Sequence, residues 1–315
     1  MKEILLLSGK GGTGKTSLTA SFVNLSGDCV VADYDVDATN LPILLSPTPT
    51  SQNEFSAGKK AVIDQEICTH CGLCEMVCRF EAITDEDVDP LACEGCAYCS
   101  RICPVEAIYM QPHSSGHWFE GKIHGDRPMF YAALHPGEDN SGLLVAQVKN
   151  AARQNCHERD IPLLIADGPP GIGCPVNSAL VGVDLVVLVG EPSISGLNDL
   201  QRIHELLKMR GIDSVLVINK YDLQEDLTMA IEKWAEENQV KCMGKIPYHP
   251  LFLKAASQGN PPTDYQELRT LITPVWQRIL DAAQGSSGFP PTGKLTCNQS
   301  CPPNIRGSLL APPPQ

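Results

Sequence analysis

The sequence predicts a doubly wound, mostly parallel α/β core interrupted by a small cysteine-rich domain. Three observations carry this expectation. Short unalternating runs of Val, Ile and Leu are separated by helical patterns, which a parallel sheet covered on both faces requires. A glycine-rich turn joins the first run directly to the first helical pattern. Between about Asn53 and Gln111 this pattern stops and cysteines take over.

In chain order, Ile4 to Leu7 reads as the first strand, and a helical pattern runs from Lys15 through Leu18, Phe22 and Leu25. Val30 to Ala32 is a second strand, closing on Asp33, Tyr34 and Asp35. After the cysteine-rich segment, Met129 to Leu134 reads as a strand and Gly142 to Arg153 as a helix. Further strands are expected at Leu163 to Ala166, Leu185 to Val189 and Val215 to Ile218. Helices are expected at Leu197 to Met209, Leu227 to Glu237 and Tyr265 to Ala283. Within the cysteine-rich segment no long helix or strand is expected. The resulting division is a first core segment over 1–53, an insert over 54–111, a second core segment over 112–283 and a tail over 284–315. The tail, rich in Gly, Ser and Pro, is expected to be disordered.

Composition limits the function classes. A chain of 315 residues, 43% hydrophobic, can bury one large core or two. Lys+Arg number 24 against Asp+Glu 37, a net charge of −13, which argues against a broad nucleic-acid-binding face. No run approaches a membrane span, and Leu5 to Leu7 ends too soon for a signal peptide. Fourteen cysteines without an export signal read as reduced, metal-binding thiols in a cytoplasmic protein.

Gly9-Lys10-Gly11-Gly12-Thr13-Gly14-Lys15-Thr16 fits GxxxxGK[ST] between a strand and a helix. Glycines at these positions turn backbone N–H groups toward phosphate oxygens. Lys15 adds charge at the β- and γ-phosphates, Thr16 offers a hydroxyl to Mg²⁺, and the helix N-terminus adds its dipole.

The cysteines carry the second chemistry. Cys68, Cys71, Cys74 and Cys78 repeat at an offset of 25 residues as Cys93, Cys96, Cys99 and Cys103. Each run has the C-x2-C-x2-C-x3-C spacing of bacterial two-cluster ferredoxins, in which the fourth cysteine serves the other cluster. The assignment is therefore crossed: Cys68, Cys71, Cys74 and Cys103 for one [4Fe–4S] cluster, Cys78, Cys93, Cys96 and Cys99 for the other. Zinc would call for paired CxxC units or histidines at the fourth position. Arg79 follows Cys78, where the second run has Pro104; a cation there would raise the neighbouring cluster's potential.

The early lysine, Lys10, makes the loop KGGTGKT, and here the sequence resembles the deviant-Walker ATPases of the MinD/ParA superfamily. The resemblance covers about residues 1 to 283, and the whole arrangement resembles members with an inserted two-cluster ferredoxin domain. It implies a homodimer sandwiching ATP and Mg²⁺, with Lys10 reaching the partner's phosphates. It implies a switch I at Asp33 to Asn40, where Asp35 orients the attacking water or the Mg²⁺ shell, with Asp37 a lesser assistant. It implies a Walker B and switch II at Ile165 to Gly171, where Asp167 holds Mg²⁺ through water and Gly168 and Gly171 give freedom of movement. Asn219 would contact the base, although Asn219-Lys220-Tyr221-Asp222 also fits the NKxD pattern of guanine recognition.

The function expected is an ATP-hydrolysing iron–sulfur protein that couples nucleotide state to electron transfer, serving a redox or iron–sulfur client not identified by sequence. The alternative is an ATP-dependent iron–sulfur cluster carrier, with Cys174, seven residues after Asp167, or the tail pair Cys297 and Cys301 as a labile site. A positioning ATPase acting on DNA or membrane is disfavoured by the acidic charge and the lack of a basic amphipathic C-terminal helix.

Overall fold

The computed structural model describes residues 1–138 and 141–285. The expected disorder of the tail, and the pair Cys297 and Cys301, lie outside the described residues.

The chain order is β1 (Lys2–Leu7), α1 (Lys15–Leu25), β2 (Val30–Asp33), α2 (Leu41–Leu45), β3 (Thr48–Ile63), α3 (Leu73–Val77), β4 (Ile83–Thr84), β5 (Asp87–Val88), α4 (Tyr98–Ile102), β6 (Ile108–Ile123), β7 (Arg127–Leu134), α5 (Ser141–Glu158), β8 (Leu163–Asp167), α6 (Cys174–Ala179), β9 (Leu185–Gly190), α7 (Ile194–Arg210), β10 (Ser214–Asn219), α8 (Glu225–Glu237), β11 (Lys241–Ile246), α9 (Pro250–Gln258) and α10 (Gln266–Gly285). Among the described residues the main sheet has nine strands in the order β11-β10-β9-β1-β8-β2-β7-β6-β3. The strands from β11 to β7 are parallel; β6 and β3 close one side antiparallel.

Strand β1 shows why the sheet is doubly wound. Leu5 and Leu7 pack with Val148 and Leu200 on one face, while Ile4 and Leu6 pack with Leu18 and Ile279 on the other. Each of these strand residues is fully buried. With both faces covered, no position calls for a polar residue, so the sequence does not alternate.

The cysteine-rich region differs from the expectation. Strands β3 and β6 each run 16 residues and pair from Thr48 with Lys122 to Ile63 with Ile108. They extend the main sheet into a ribbon that carries the cysteine segment, and they cross the positions near residues 53 and 111 where the periodicity breaks. The ribbon is half exposed and holds Pro49, Gly58, Lys59 and Lys60. Its stability comes from antiparallel pairing, so it lacks the apolar run that marks a buried strand. Edge strand β11 (KCMGKI) was missed for the same reason, since it buries only Met243 and Ile246.

Beyond the ribbon the 25-residue repeat reappears in the backbone. Asp64 N donates to Ala107 O at 2.8 Å, and its equivalent Asp89 N donates to Ala82 O at 2.9 Å. Cys68 N donates to Asp64 O and Cys93 N to Asp89 O, each at 3.0 Å. Positive φ recurs at His70 and Gly95, at Gly72 and Ala97, and at Glu81 and Glu106. The two halves are thus related by pseudo-twofold symmetry and pair across it.

Candidate functional site

The glycine loop, both acidic strand ends and Asn219 meet at the carboxyl edge of the parallel strands, where open α/β sheets bind ligands. Gly14 precedes α1 with φ 88°, and a Cβ there would lie 2.3 Å from Asn219 Nδ2. That close approach lets Asn219 Nδ2 donate to Thr13 O at 2.8 Å, while its Oδ1 accepts from Lys220 N at 3.0 Å. Thr13 Oγ1 and Lys15 Nζ are buried without a well-directed hydrogen-bond partner. Such donors fit phosphate oxygens, because an unsatisfied buried donor is costly unless a ligand meets it.

Asp167 organises the centre. Its Oδ1 lies 2.9 Å from Lys15 Nζ and accepts from Thr19 Oγ1 at 2.7 Å; its Oδ2 accepts from Thr16 Oγ1 at 2.7 Å. Asp33, fully buried, accepts from Asp35 N at 3.0 Å and Leu41 N at 3.1 Å, which fixes the loop that follows β2. Burial, reinforced by the Asp167 charge, drives the Asp33 carboxyl well above its usual range. Burial also lifts half-buried Asp35 to about 6, against the pull of Lys15. Several carboxylates therefore share one lysine, and a divalent cation beside the Thr16 hydroxyl would offset the excess negative charge. Oxygen donors of this kind suit Mg²⁺, which keeps waters and uses few protein ligands.

Lys10 is engaged within its own chain. Its Nζ lies 2.8 Å from Glu191 Oε1 and donates to Ser193 Oγ at 3.1 Å and Ser195 Oγ at 2.9 Å. Glu191 Oε2 meets Lys220 Nζ at 3.1 Å, and Lys220 also donates to Gly12 O at 2.7 Å. Burial alone would raise the Glu191 carboxyl, but hydrogen bonds from the two lysines hold it below its usual range. Above the loop a cavity of about 510 Å³ extends past Asp35 and Asn219 to Pro247, Tyr248 and Phe252. Asp222 does not line it; its Oδ1 accepts from Tyr248 N at 2.6 Å.

The eight repeat cysteines fall into two sets of four. Cys78, Cys93, Cys96 and Cys99 line one cavity of about 500 Å³. Cys68, Cys71, Cys74 and Cys103 line a second, of about 20 Å³. The walls between are apolar, including Ala61, Ile63, Ala82, Ile83 and Ile108. Burial raises the thiols of Cys74 and Cys99. Among the described residues no three His, Cys, Asp or Glu side chains are gathered so as to hold a metal ion. Each cavity is lined by four cysteines, the number of thiolates that a [4Fe–4S] cluster takes.

The chain matches the CobQ/CobB/MinD/ParA nucleotide binding domain over residues 4–262. It belongs to the CobQ/CobB/MinD/ParA family. An uncharacterised protein of Methanocaldococcus jannaschii is 37% identical over 221 residues, covering 69% of this chain and 78% of its own length. The septum site-determining protein MinD of Bacillus subtilis is 22% identical over 269 residues, 82% of this chain and 81% of that one. Among solved structures, the cell division ATPase MinD of Pyrococcus furiosus aligns over 89% of this chain and 99% of its own, with TM-score 0.55 and 18% identity. The septum site-determining protein MinD of Pyrococcus horikoshii, complexed with Mg-ADP, aligns over 91% and 99%, with TM-score 0.55 and 17% identity. At these identities the solved structures establish the fold.

Within this MinD/ParA-type fold, Lys15, Thr16, Asp35 and Asp167 come together at one end of the sheet, and Lys10 lies at its rim. Asp37 is exposed on the loop between β2 and α2. Cys174 is exposed at the start of α6, and among the described residues it joins no cysteine set. The sequence names Asp33 and Lys220 only as members of longer motifs, and it does not point to Glu191. An acidic residue at a strand end signals Asp33 weakly; Glu191, 181 residues from Lys10, gave no signal. No helix among the described residues is long and apolar enough to cross a membrane.

Proposed function

We propose that this protein is a homodimeric, Mg²⁺-dependent ATPase that couples nucleotide state to electron transfer through two [4Fe–4S] clusters. One observation carries the reading: eight cysteines sort into two sets of four, each drawing three from one run and the fourth from the other, on a ribbon continuous with the nucleotide-binding sheet. When bound, the clusters would supply one-electron redox chemistry.

The residues of the nucleotide site have distinct tasks. The loop amides and Lys15 bind the phosphates, and Thr16 with Asp167 and Asp35 serves the Mg²⁺ shell. Asp35 orients water, and Lys10 adds charge at the partner's phosphates once released from Glu191. Asn219 braces the loop through Thr13. Tyr248 and Phe252 offer an aromatic wall to a base, and the engagement of Asp222 by Tyr248 N favours adenine over guanine.

Switch I is tied to the ribbon side of the sheet. Leu134 N donates to Val36 O at 3.2 Å, Thr39 Oγ1 donates to Ala132 O, and His135 N donates to Ser115 O on β6 at 2.9 Å. A γ-phosphate that reorders Asp35 therefore pulls on β7 and, through it, on the ribbon. By linkage, cluster reduction must alter ATP affinity by the same free energy with which ATP alters cluster potential.

The test is anaerobic purification with iron and sulfide counting, then redox titration with and without ATP. Two stable clusters with nucleotide-shifted potentials are expected. Clusters whose potentials ignore ATP would leave an electron carrier tethered to an ATPase and remove the coupling. A further, transferable cluster would favour the carrier alternative.

A further inference from the structure

The internal repeat gives each residue around one cysteine set a counterpart around the other, so unequal surroundings stand out. We propose that the two cluster sites differ in charge, and that the Cys78, Cys93, Cys96, Cys99 site holds its electron at the higher potential. The proposal rests on the two-cluster reading above and adds a direction to it.

Arg79 lines the cavity of the second-run set, whereas its counterpart at the other cavity is the neutral Pro104. Lys60 Nζ donates to Cys93 O at 2.8 Å, bringing another cation to the same site. Glu94 also lines that cavity, so these groups sum to one positive charge. At the other cavity the one charged lining residue is Glu86, the counterpart of Ala61. The lining residues alone differ by one charge, zero against minus one, and Lys60 adds to that difference; positive charge favours the reduced, more negative state of a thiolate-ligated cluster.

One effect opposes. His70 N approaches Cys68 Sγ at 3.5 Å and Ala107 N approaches Cys103 Sγ at 3.3 Å, both in the first-run set. Amide dipoles at sulfur also raise potential, but partial dipoles weigh less than the full charges of Arg79 and Lys60.

The higher-potential site is the one nearer the nucleotide domain. Gly95 sits so close to β3 that a Cβ would lie 2.2 Å from Lys59 O, and Ala61 lines the cavity. The other cavity is lined by Ile63 and Ile108, at the far end of the ribbon. A Cβ on Gly137, in the loop after β7, would lie 3.6 Å from Leu91 Cδ2, two residues before Cys93. An electron from a low-potential one-electron donor thus enters at the tip. With clusters bound, Cys68, Cys71, Cys74 and Cys103 would hold the one that gives up this electron, and Cys78, Cys93, Cys96 and Cys99 the one that accepts it.

The test uses the anaerobically purified full chain, first assayed for iron and sulfide and then titrated with redox mediators under EPR. Two midpoint potentials are expected. The higher is expected to be absent in Cys96→Ser and the lower in Cys71→Ser. Arg79→Gln and Lys60→Met should each lower the higher potential and leave the lower one in place; both substitutions spare the ligands. If Cys71→Ser removes the higher potential, or if neither charge variant moves it, the inference is overturned while the two-cluster reading stands. An anaerobic preparation without iron and sulfide would overturn that reading and the inference with it.

Discussion

Lys10 Nζ lies 2.8 Å from Glu191 Oε1 of its own chain, so the lysine expected to act across a dimer is held in cis before nucleotide engages it. Lys220 shares the same carboxylate, and Ser193 and Ser195 complete the cradle. Release of Lys10 must precede any reach toward a partner.

Glu191→Gln should therefore promote ATP-dependent dimerisation. A part-exposed ion pair contributes up to about 1 kcal/mol, and a dimer releases two of them, so the dimer constant should rise by up to roughly thirtyfold. Light scattering across a protein dilution series with ATP reads this directly. Lys10→Ala should bind nucleotide normally yet fail to dimerise; a Lys10→Ala protein that dimerises and turns over normally would sink the trans role.

Lys15→Ala should abolish nucleotide binding and also weaken the nucleotide-free fold. It leaves Asp167 and Asp33 buried with no cation between them, and breaking a buried pair costs about 3 kcal/mol. The cost should shrink at acidic pH, where the Asp33 carboxyl, raised by burial, takes up a proton. Urea unfolding at pH 5 and pH 8 measures both, and a loss independent of pH would contradict the electrostatic account.

Asp35 gives a pH dependence with a definite sign. Burial raises its carboxyl from 3.8 to about 6, so between those values the folded state binds more protons than the unfolded state. Stability then falls as pH rises through the window, and the penalty persists above it. Nucleotide-free wild-type protein should lose stability relative to Asp35→Asn between about pH 4 and 6. Parallel stability curves for the two proteins would show that Asp35 is not the titrating group.

Cys78→Ser should abolish the same EPR signal as Cys96→Ser and spare the one lost in Cys71→Ser. The expectation follows from Cys78 lining the cavity of Cys93, Cys96 and Cys99 although it belongs to the first run. Loss of the signal assigned to Cys71 would overturn the crossed arrangement.

The core, the glycine loop and the cysteine repeat were legible in the sequence because their signals are local. Buried parallel strands such as Leu185–Gly190 are continuous apolar runs. The loop from Gly9 to Thr16 needs glycine and lysine at fixed spacings, and the cysteine repeat carries its pairing in its own offset. Only the tertiary structure decided how the cysteine segment is mounted. Strands β3 and β6 are half exposed and held by long-range antiparallel pairing, so nothing in their composition marks a rigid ribbon. The partners of Lys10 were equally hidden, since an ion pair between residues 10 and 191 exists only once the β9–α7 loop is folded beside the glycine loop. The charge difference between the cysteine sites belongs to both levels. Arg79 and Pro104 can be compared along the repeat, but Lys60 reaches Cys93 only because the ribbon brings β3 against the second cysteine run.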